Sequence, residues 1–187
     1  MTYAITTLEA STWDLFAELV DRNDGIFGGC WCLSFHTDRG EPGLDHRTAK
    51  EQLVRTGRAH AALVLDEDGV ARGWAQYGPT ADLKIKNRIR YEQDPPPTPD
   101  WRITCIFTDR THRRQGVAGA ALEGALDQIA ARGGGLVEAI SEVTDGRVAQ
   151  SRFLFSGTVE LLEQYDFARV RQVGKHAWIM HRDLPPT

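Results

Sequence analysis

Residues 103–122 read ITCIFTDRTHRRQGVAGAAL, and the whole chain takes its meaning from them. A β-branched, apolar run (Trp101 to Thr108) reads as a strand. It passes into a basic turn containing Gly116, and the turn opens directly into a helix expected from Gly116 to about Arg132, with Leu122, Ala125, Leu126 and Ile129 along one side. The first N–H groups of such a helix have no intrahelical partner, and its dipole is positive there. A strand, a turn and an exposed helix N-terminus therefore make an anion site, with Arg113 and Arg114 adding charge and the small residues Gly116, Ala118 and Gly119 allowing close approach. The expected ligand group is a phosphate or pyrophosphate. The segment lacks the Gly-Lys-Ser/Thr of a Walker loop and the first glycines of a dinucleotide fingerprint.

Outward from this segment the pattern is one of short elements. Tyr3–Leu8 reads as a strand. Ser11, with Asp14 three residues on, reads as the N-cap of a helix carrying Trp13, Phe16, Leu19 and Val20 at helical spacing, which ends at Asn23-Asp24-Gly25. A second helix is expected over His46–Thr56, closed by Gly57. His60–Leu65 and Val70–Tyr77 flank the turn Asp66-Glu67-Asp68-Gly69 as a hairpin. Residues 79–100, which include a basic run (Leu83–Tyr91) and the Pro-rich stretch Asp94–Asp100, form a surface excursion, because core elements resume at once. The basic run is a solvated face or a lid over a ligand. Leu136–Ser141, a short helix over Glu160–Tyr165, and a strand pair at Phe167–Val173 and Ala177–Arg182 complete the chain. The sum is α+β (mixed α/β), one domain over residues 1–187 around one central sheet.

The segment Arg113-Arg114-Gln115-Gly116-Val117-Ala118 resembles the Arg/Gln-x-x-Gly-x-Gly/Ala signature of the GNAT superfamily of acyl-CoA-dependent N-acetyltransferases. The element order resembles that fold along nearly the whole chain, and 161–170 (LLEQYDFARV) resembles its closing segment. Cys30-Trp31-Cys32 resembles a segment of one bacterial subgroup. The resemblance implies a mostly antiparallel sheet, splayed at an acyl-CoA site and flanked by helices. It implies acetyl-CoA as acyl donor, no metal, and direct attack by a primary amine of a small molecule or peptide in a ternary complex. Backbone groups of Ile106, Phe107 and Thr108 would meet the pantetheine arm. The amides of Arg114 to Gly119, with Gln115, Val117 and Ala118 between, would hold the pyrophosphate. The Arg113 and Arg114 side chains would lie near the phosphates or in solvent.

The sequence departs from the family at two places. The usual tyrosine acid is replaced by Leu162, with Tyr165 three residues on as a substitute or a packing residue, and the usual glycine before Phe167 is Asp166, a residue that tolerates a left-handed backbone. Strand 102–108 carries no carboxylate; Glu138 and Glu142, which share a side of the next strand, could each take a proton through water, and Glu138 is the expected base or else a salt-bridged or solvent-facing carboxylate. Family acceptors rest against the connection of the first two helices. Trp31 and Phe35 are therefore pocket wall or plain core.

Composition sets the outer limits. In 187 residues there are 22 Lys+Arg and 26 Asp+Glu, a net charge of −4 that speaks against a nucleic-acid partner. No apolar run reaches the length of a membrane span. The first ten residues show no signal-peptide pattern, and three cysteines are too few for a disulfide framework, so a cytoplasmic location is expected. Cys-x-Cys without a second pair fits zinc or a redox motif poorly. The remaining alternatives are a CoA-binding regulatory protein without transfer activity, which the Leu162 departure favours, and a metal or redox protein built on Cys30, Cys32 and Cys105. GNAT members often form homodimers.

Overall fold

The computed structural model describes residues 2–146 and 154–187. Along them run β1 (Ala4–Thr7), α1 (Trp13–Arg22), α2 (His46–Arg55), β2 (His60–Leu65), β3 (Ala71–Pro79), α3 (Arg88–Glu92), β4 (Trp101–Thr108), α4 (Val117–Ala130), β5 (Gly135–Glu142), α5 (Val159–Glu163), β6 (Ala168–Gln172) and β7 (Ala177–Leu184). The strands form one sheet in the order β1-β2-β3-β4-β5-β7-β6. Every neighbouring pair is antiparallel except β4–β5. This is the mixed α+β, mostly antiparallel architecture expected from the sequence.

Strand alternation divides the core between the two faces. Ala62 and Val64 of β2 face α4, whose Ala121, Leu122, Ala125 and Ile129 are fully buried against them. Ala61 and Leu63, one residue out of phase, face α1 and α2, where Trp13, Phe16, Leu19, Val20 and Leu53 form the second core. The 3.6-residue spacing of the α1 apolar residues holds as expected.

Two local expectations are corrected. Ser11 does not cap α1. It lies in a short 3-10 turn, Ala10–Thr12, that leads into the helix, and the reciprocal capping pair is Glu9 with Thr12. The reason is that Thr12 also donates to the Thr7 carbonyl, so the turn is tied to the end of β1 one residue later than the cap pattern suggested. The run Leu83–Tyr91 is not uniformly solvated either. Leu83 and Tyr91 are buried anchors, while Lys84, Arg88 and Arg90 between them are exposed. Asp166 does adopt the left-handed backbone, with φ 58°.

Candidate active site

β4 and β5 stay paired over three positions only, Trp101↔Val137, Arg102↔Glu138 and Ile103↔Ala139. The divergence begins where β4 carries an extra residue. Gln76 of β3 faces Cys105 and Tyr77 faces Ile103, which leaves Thr104 as a bulge. A bulge bends its strand and re-aims the residues beyond it. Past this point, the free edge of β4 borders a groove of about 430 Å³ lined by Ile106, Phe107, Thr108, Ala118 and Leu161 among others. The three predicted pantetheine residues are thus brought together, but not equivalently. The Ile106 N–H turns away from β3 and donates to the Phe155 carbonyl at 2.6 Å. Thr108, two residues on, presents its N–H to the same side. Phe107 turns its carbonyl toward Gly73 of β3 and stacks its ring on Trp74 at 4.6 Å.

The anion turn forms as its sequence requires. Asp109, buried at 5%, accepts from the Thr111 amide and is flanked by Arg22 and Arg72 at 3.7 and 3.5 Å. Burial would raise its carboxyl, but the Thr111 amide and hydroxyl and the Arg22 charge outweigh burial and hold it below the usual value. Arg114 (φ 61°) and Gly116 (φ 85°) then turn the chain through left-handed conformations into α4. The first α4 bond is Ala120 N–H to the Gly116 carbonyl, so the amides of Val117, Ala118 and Gly119 precede the helical ladder. A space of about 350 Å³ lies over them, lined also by Thr108, Arg113, Arg114, Gln164 and Tyr165. Gln115 does not line this space, and its carbonyl accepts from the Tyr3 hydroxyl. Gly119 has a reason the sequence did not reveal. A Cβ there would come within 2.8 Å of the Tyr165 hydroxyl, so the glycine lets that ring lie across the helix start. Tyr165 consequently borders the space over the α4 start, and Leu162 is fully buried in the core.

Glu138 is 1% exposed and held by three donors: Arg102 Nε at 3.0 Å, the Tyr91 hydroxyl at 2.8 Å and His181 Nε2 at 3.0 Å. Burial, then the carboxylate itself, push the Tyr91 phenol up to about 12. The carboxylate lines a small cavity of about 20 Å³, shared with Thr104, Lys86, Phe155 and Ser156, which is room for about one water molecule. Glu142, on the same strand face, pairs with Lys86 at 3.6 Å.

On the other side of the bulge lies a pocket of about 240 Å³, lined by Ile26, Phe27, Cys30, Cys32, Ser34, Phe35, Cys105 and Phe155. It shares Ile26, Phe27 and Phe155 with the groove. Phe35 is therefore pocket wall. Trp31 is core: it is 7% exposed, stacks on Trp13 at 6.0 Å and lies edge-on to Phe16 at 6.2 Å. The physical cause is the backbone, which is left-handed at both Trp31 (φ 49°) and Cys32 (φ 59°), so successive side chains diverge, the ring inward and the sulfur to the pocket. Asp21 and Asp24 are engaged at the surface by Arg47 and Arg110.

Behind the pocket stands a group that sequence reasoning missed. Lys50 is 1% exposed, and its ammonium donates to Gln76 Oε1 at 2.6 Å and His36 Nε2 at 3.1 Å. The signal was present. In α2, Lys50 and Val54 stand one turn apart beside Ala49 and Leu53, on the face that the spacing buries.

Among the described residues, no three His, Cys, Asp or Glu side chains are grouped as metal ligands, and no helix is long and apolar enough to cross a membrane. A family model for the Acetyltransferase (GNAT) family matches residues 23–155. No curated protein matches the chain significantly. Several solved structures share the fold. One is a mosquito arylalkylamine N-acetyltransferase like 5b, with 10% identity over 98% of this chain and 100% of that one and a TM-score of 0.58. Another, from Corynebacterium glutamicum, is described as histone acetyltransferase HPA2 and related acetyltransferase, with 16% identity over 100% and 98% and a TM-score of 0.57. A third is a phosphinothricin acetyltransferase from Sinorhizobium meliloti in complex with AcCoA, with 16% identity over 99% and 90% and a TM-score of 0.56.

Proposed function

The chain belongs to the GNAT family of acetyltransferases, and on that premise we propose that it transfers an acetyl group from acetyl-CoA to a primary amine by direct attack in a ternary complex. The observation that carries this is the continuous path from the open edge of β4 to the uncapped amides of α4. An extended arm fits along β4 past Ile106, whose N–H is already taken by the Phe155 carbonyl, to Thr108, and a pyrophosphate fits the amides of Val117 to Gly119 with Arg113 and Arg114 at the rim. The neighbour solved with AcCoA supports the choice of donor.

The acceptor enters from the 240 Å³ pocket. Its lining is apolar and sulfur-bearing, with no carboxylate, and Lys50 stands behind it. Such a site disfavours an ammonium and favours the free amine, so an acceptor with an apolar body is expected to bind already deprotonated. As the nitrogen bonds to the acyl carbon it must shed a proton. Glu138 receives it through a water in the 20 Å³ cavity, three of its roughly four lone-pair positions being occupied and one left over. The Thr108 N–H is the donor nearest in kind to what the developing oxyanion requires. With Leu162 in the core, the departing thiolate takes its proton from solvent.

The test is calorimetric titration with acetyl-CoA, then thiol release across a panel of amines with apolar and polar bodies. Binding together with turnover of apolar amines is the expected result, with Glu138→Gln lowering kcat by about 100-fold while CoA affinity holds. Absence of CoA binding would sink the reading. Binding without transfer to any amine would instead favour a regulatory CoA-binding protein, the reading that the buried Leu162 supports.

A further inference from the structure

Lys50 has no carboxylate within ion-pair distance among the described residues. Its hydrogen-bond partners, Gln76 and His36, are neutral, since burial and the Lys50 charge hold the imidazole down at about 3. A buried ammonium with only neutral partners is costly. The groups beside it able to carry negative charge are the thiols of Cys32, Cys105 and Cys30.

Two of these thiols line the same pocket and perturb each other, Cys32 from the left-handed loop and Cys105 from the residue after the bulge of β4. Their roles differ. Burial would raise the Cys32 thiol, but the neighbouring Cys105 thiol and the Lys50 charge outweigh it, and it ends below the ordinary thiol value. Cys105 is raised, first by its neighbour Cys32 and then by burial. A second observation points the same way. Trp74 Nε1 is the one buried side-chain nitrogen or oxygen among the described residues that lacks a hydrogen-bond partner, and it stands next to Cys32. An anionic sulfur is what an otherwise unmatched donor would face. Both sulfurs line the 240 Å³ pocket, which gives a small oxidant a route to them. The left-handed backbone at Trp31 and Cys32 is strained, of the kind held at functional positions.

We propose that Cys32 and Cys105 form a reactive dithiol at the floor of the pocket, with Cys32 as nucleophile, Cys105 as resolving thiol and a hydroperoxide as oxidant. The Cys32 sulfur attacks the distal peroxide oxygen, the O–O bond breaks, and the released alkoxide or hydroxide takes a proton from water. Cys32 becomes a sulfenic acid. The Cys105 sulfur then attacks the Cys32 sulfur, the S–O bond breaks, and the hydroxyl leaves as water with the Cys105 proton. The peroxide is reduced by two electrons and the two thiols are oxidised to one disulfide. The bond ties the Cys30–His36 loop to β4 at its bulge, between the acceptor pocket and the groove. None of this depends on the acetyl-transfer reading.

The test uses the full-length reduced chain, treated with hydrogen peroxide and mapped by mass spectrometry without reduction. The expected product is a single cross-link between the Cys32 and Cys105 peptides. Cys32 should react at least about tenfold faster than the more exposed Cys30. Cys30→Ser should still cross-link, and Cys105→Ser should stop at a Cys32 sulfenic acid that a cyclic 1,3-diketone traps. Lys50→Met should slow Cys32 by about tenfold or more. A Cys30–Cys32 cross-link, oxidation confined to Cys30, or three persistent thiols would each overturn the proposal. The wild-type and Cys30→Ser results decide it even where Lys50→Met folds poorly.

Discussion

The turn at 108–119 and the loop at 28–36 are built from the same unusual backbone and use it in opposite directions. Both place non-glycine residues in left-handed conformations, Arg114 in one, Trp31 and Cys32 in the other. The turn spends this geometry outward, presenting amides to an open space of about 350 Å³. The loop turns it inward, sending Trp31 into the core and Cys32 toward a buried ammonium. One region should therefore trade ligand affinity without touching stability, and the other the reverse.

The largest effect expected is on the loop. Trp31→Ala removes a ring packed on Trp13 and Phe16 and should cost about 3–5 kcal/mol of stability, read by denaturant unfolding. CoA affinity should hold, and so should acceptor KM wherever the variant remains folded. A stable variant with weakened acceptor binding would break the contrast by returning Trp31 to the pocket wall.

On the turn the expected order reverses. Gly119→Glu adds a carboxylate where the helix start should receive an anion, and should weaken CoA binding by at least about 100-fold, or about 3 kcal/mol. Its melting temperature should barely move, because an acidic residue suits the first helical turn and the Tyr165 hydroxyl it meets is the movable end of a side chain. Unchanged CoA affinity would remove the anion site from α4.

The smallest step, taken per pH unit, is acid sensitivity on the loop side. His36 is held down at about 3 in the folded chain against 6.5 unfolded, so below 6.5 the unfolded state takes up a proton that the folded state refuses. The stability His36 contributes is full above about 6.5 and falls by about 1.4 kcal/mol per pH unit as pH drops through that window toward 3. Melting temperatures between these limits should show the slope, and His36→Gln should flatten it. A slope that survives the substitution would assign it to other groups.

The same contrast explains what could be read from the sequence. β2 (His60–Leu65) and β4 (Trp101–Thr108) were legible to the residue, because each is an apolar, β-rich run bounded by turn residues. The turn into α4 could be read as a candidate anion site because its chemistry is contiguous: amides, glycine and arginines all lie within a dozen residues. The Cys30–His36 loop could be located but not interpreted. Its partners come from elsewhere, Lys50 from α2, Gln76 from β3 and Cys105 from β4, with His36 and Gln76 separated by 40 positions. Glu138 could be placed on one strand face with Glu142, but its donors Tyr91 and His181 lie 47 and 43 residues away, and no local pattern announces them. Gly119 could be read only for its place in the turn, since the Tyr165 ring that lies against it is on a segment distant in sequence.

The brief parallel contact between β4 and β5 has a consequence for how the molecule is held together. Three residue pairs join a four-strand leaf, β1 to β4, to a three-strand leaf, β5 to β7. The spine of this two-leaved book is short, and its opening is the groove. A ligand arm lying along β4 would then act as a missing strand, lengthening the spine from outside the chain. Amide exchange in the β5–β7 leaf should slow when the groove is filled, so the donor would serve as a structural member of the sheet as well as a reactant.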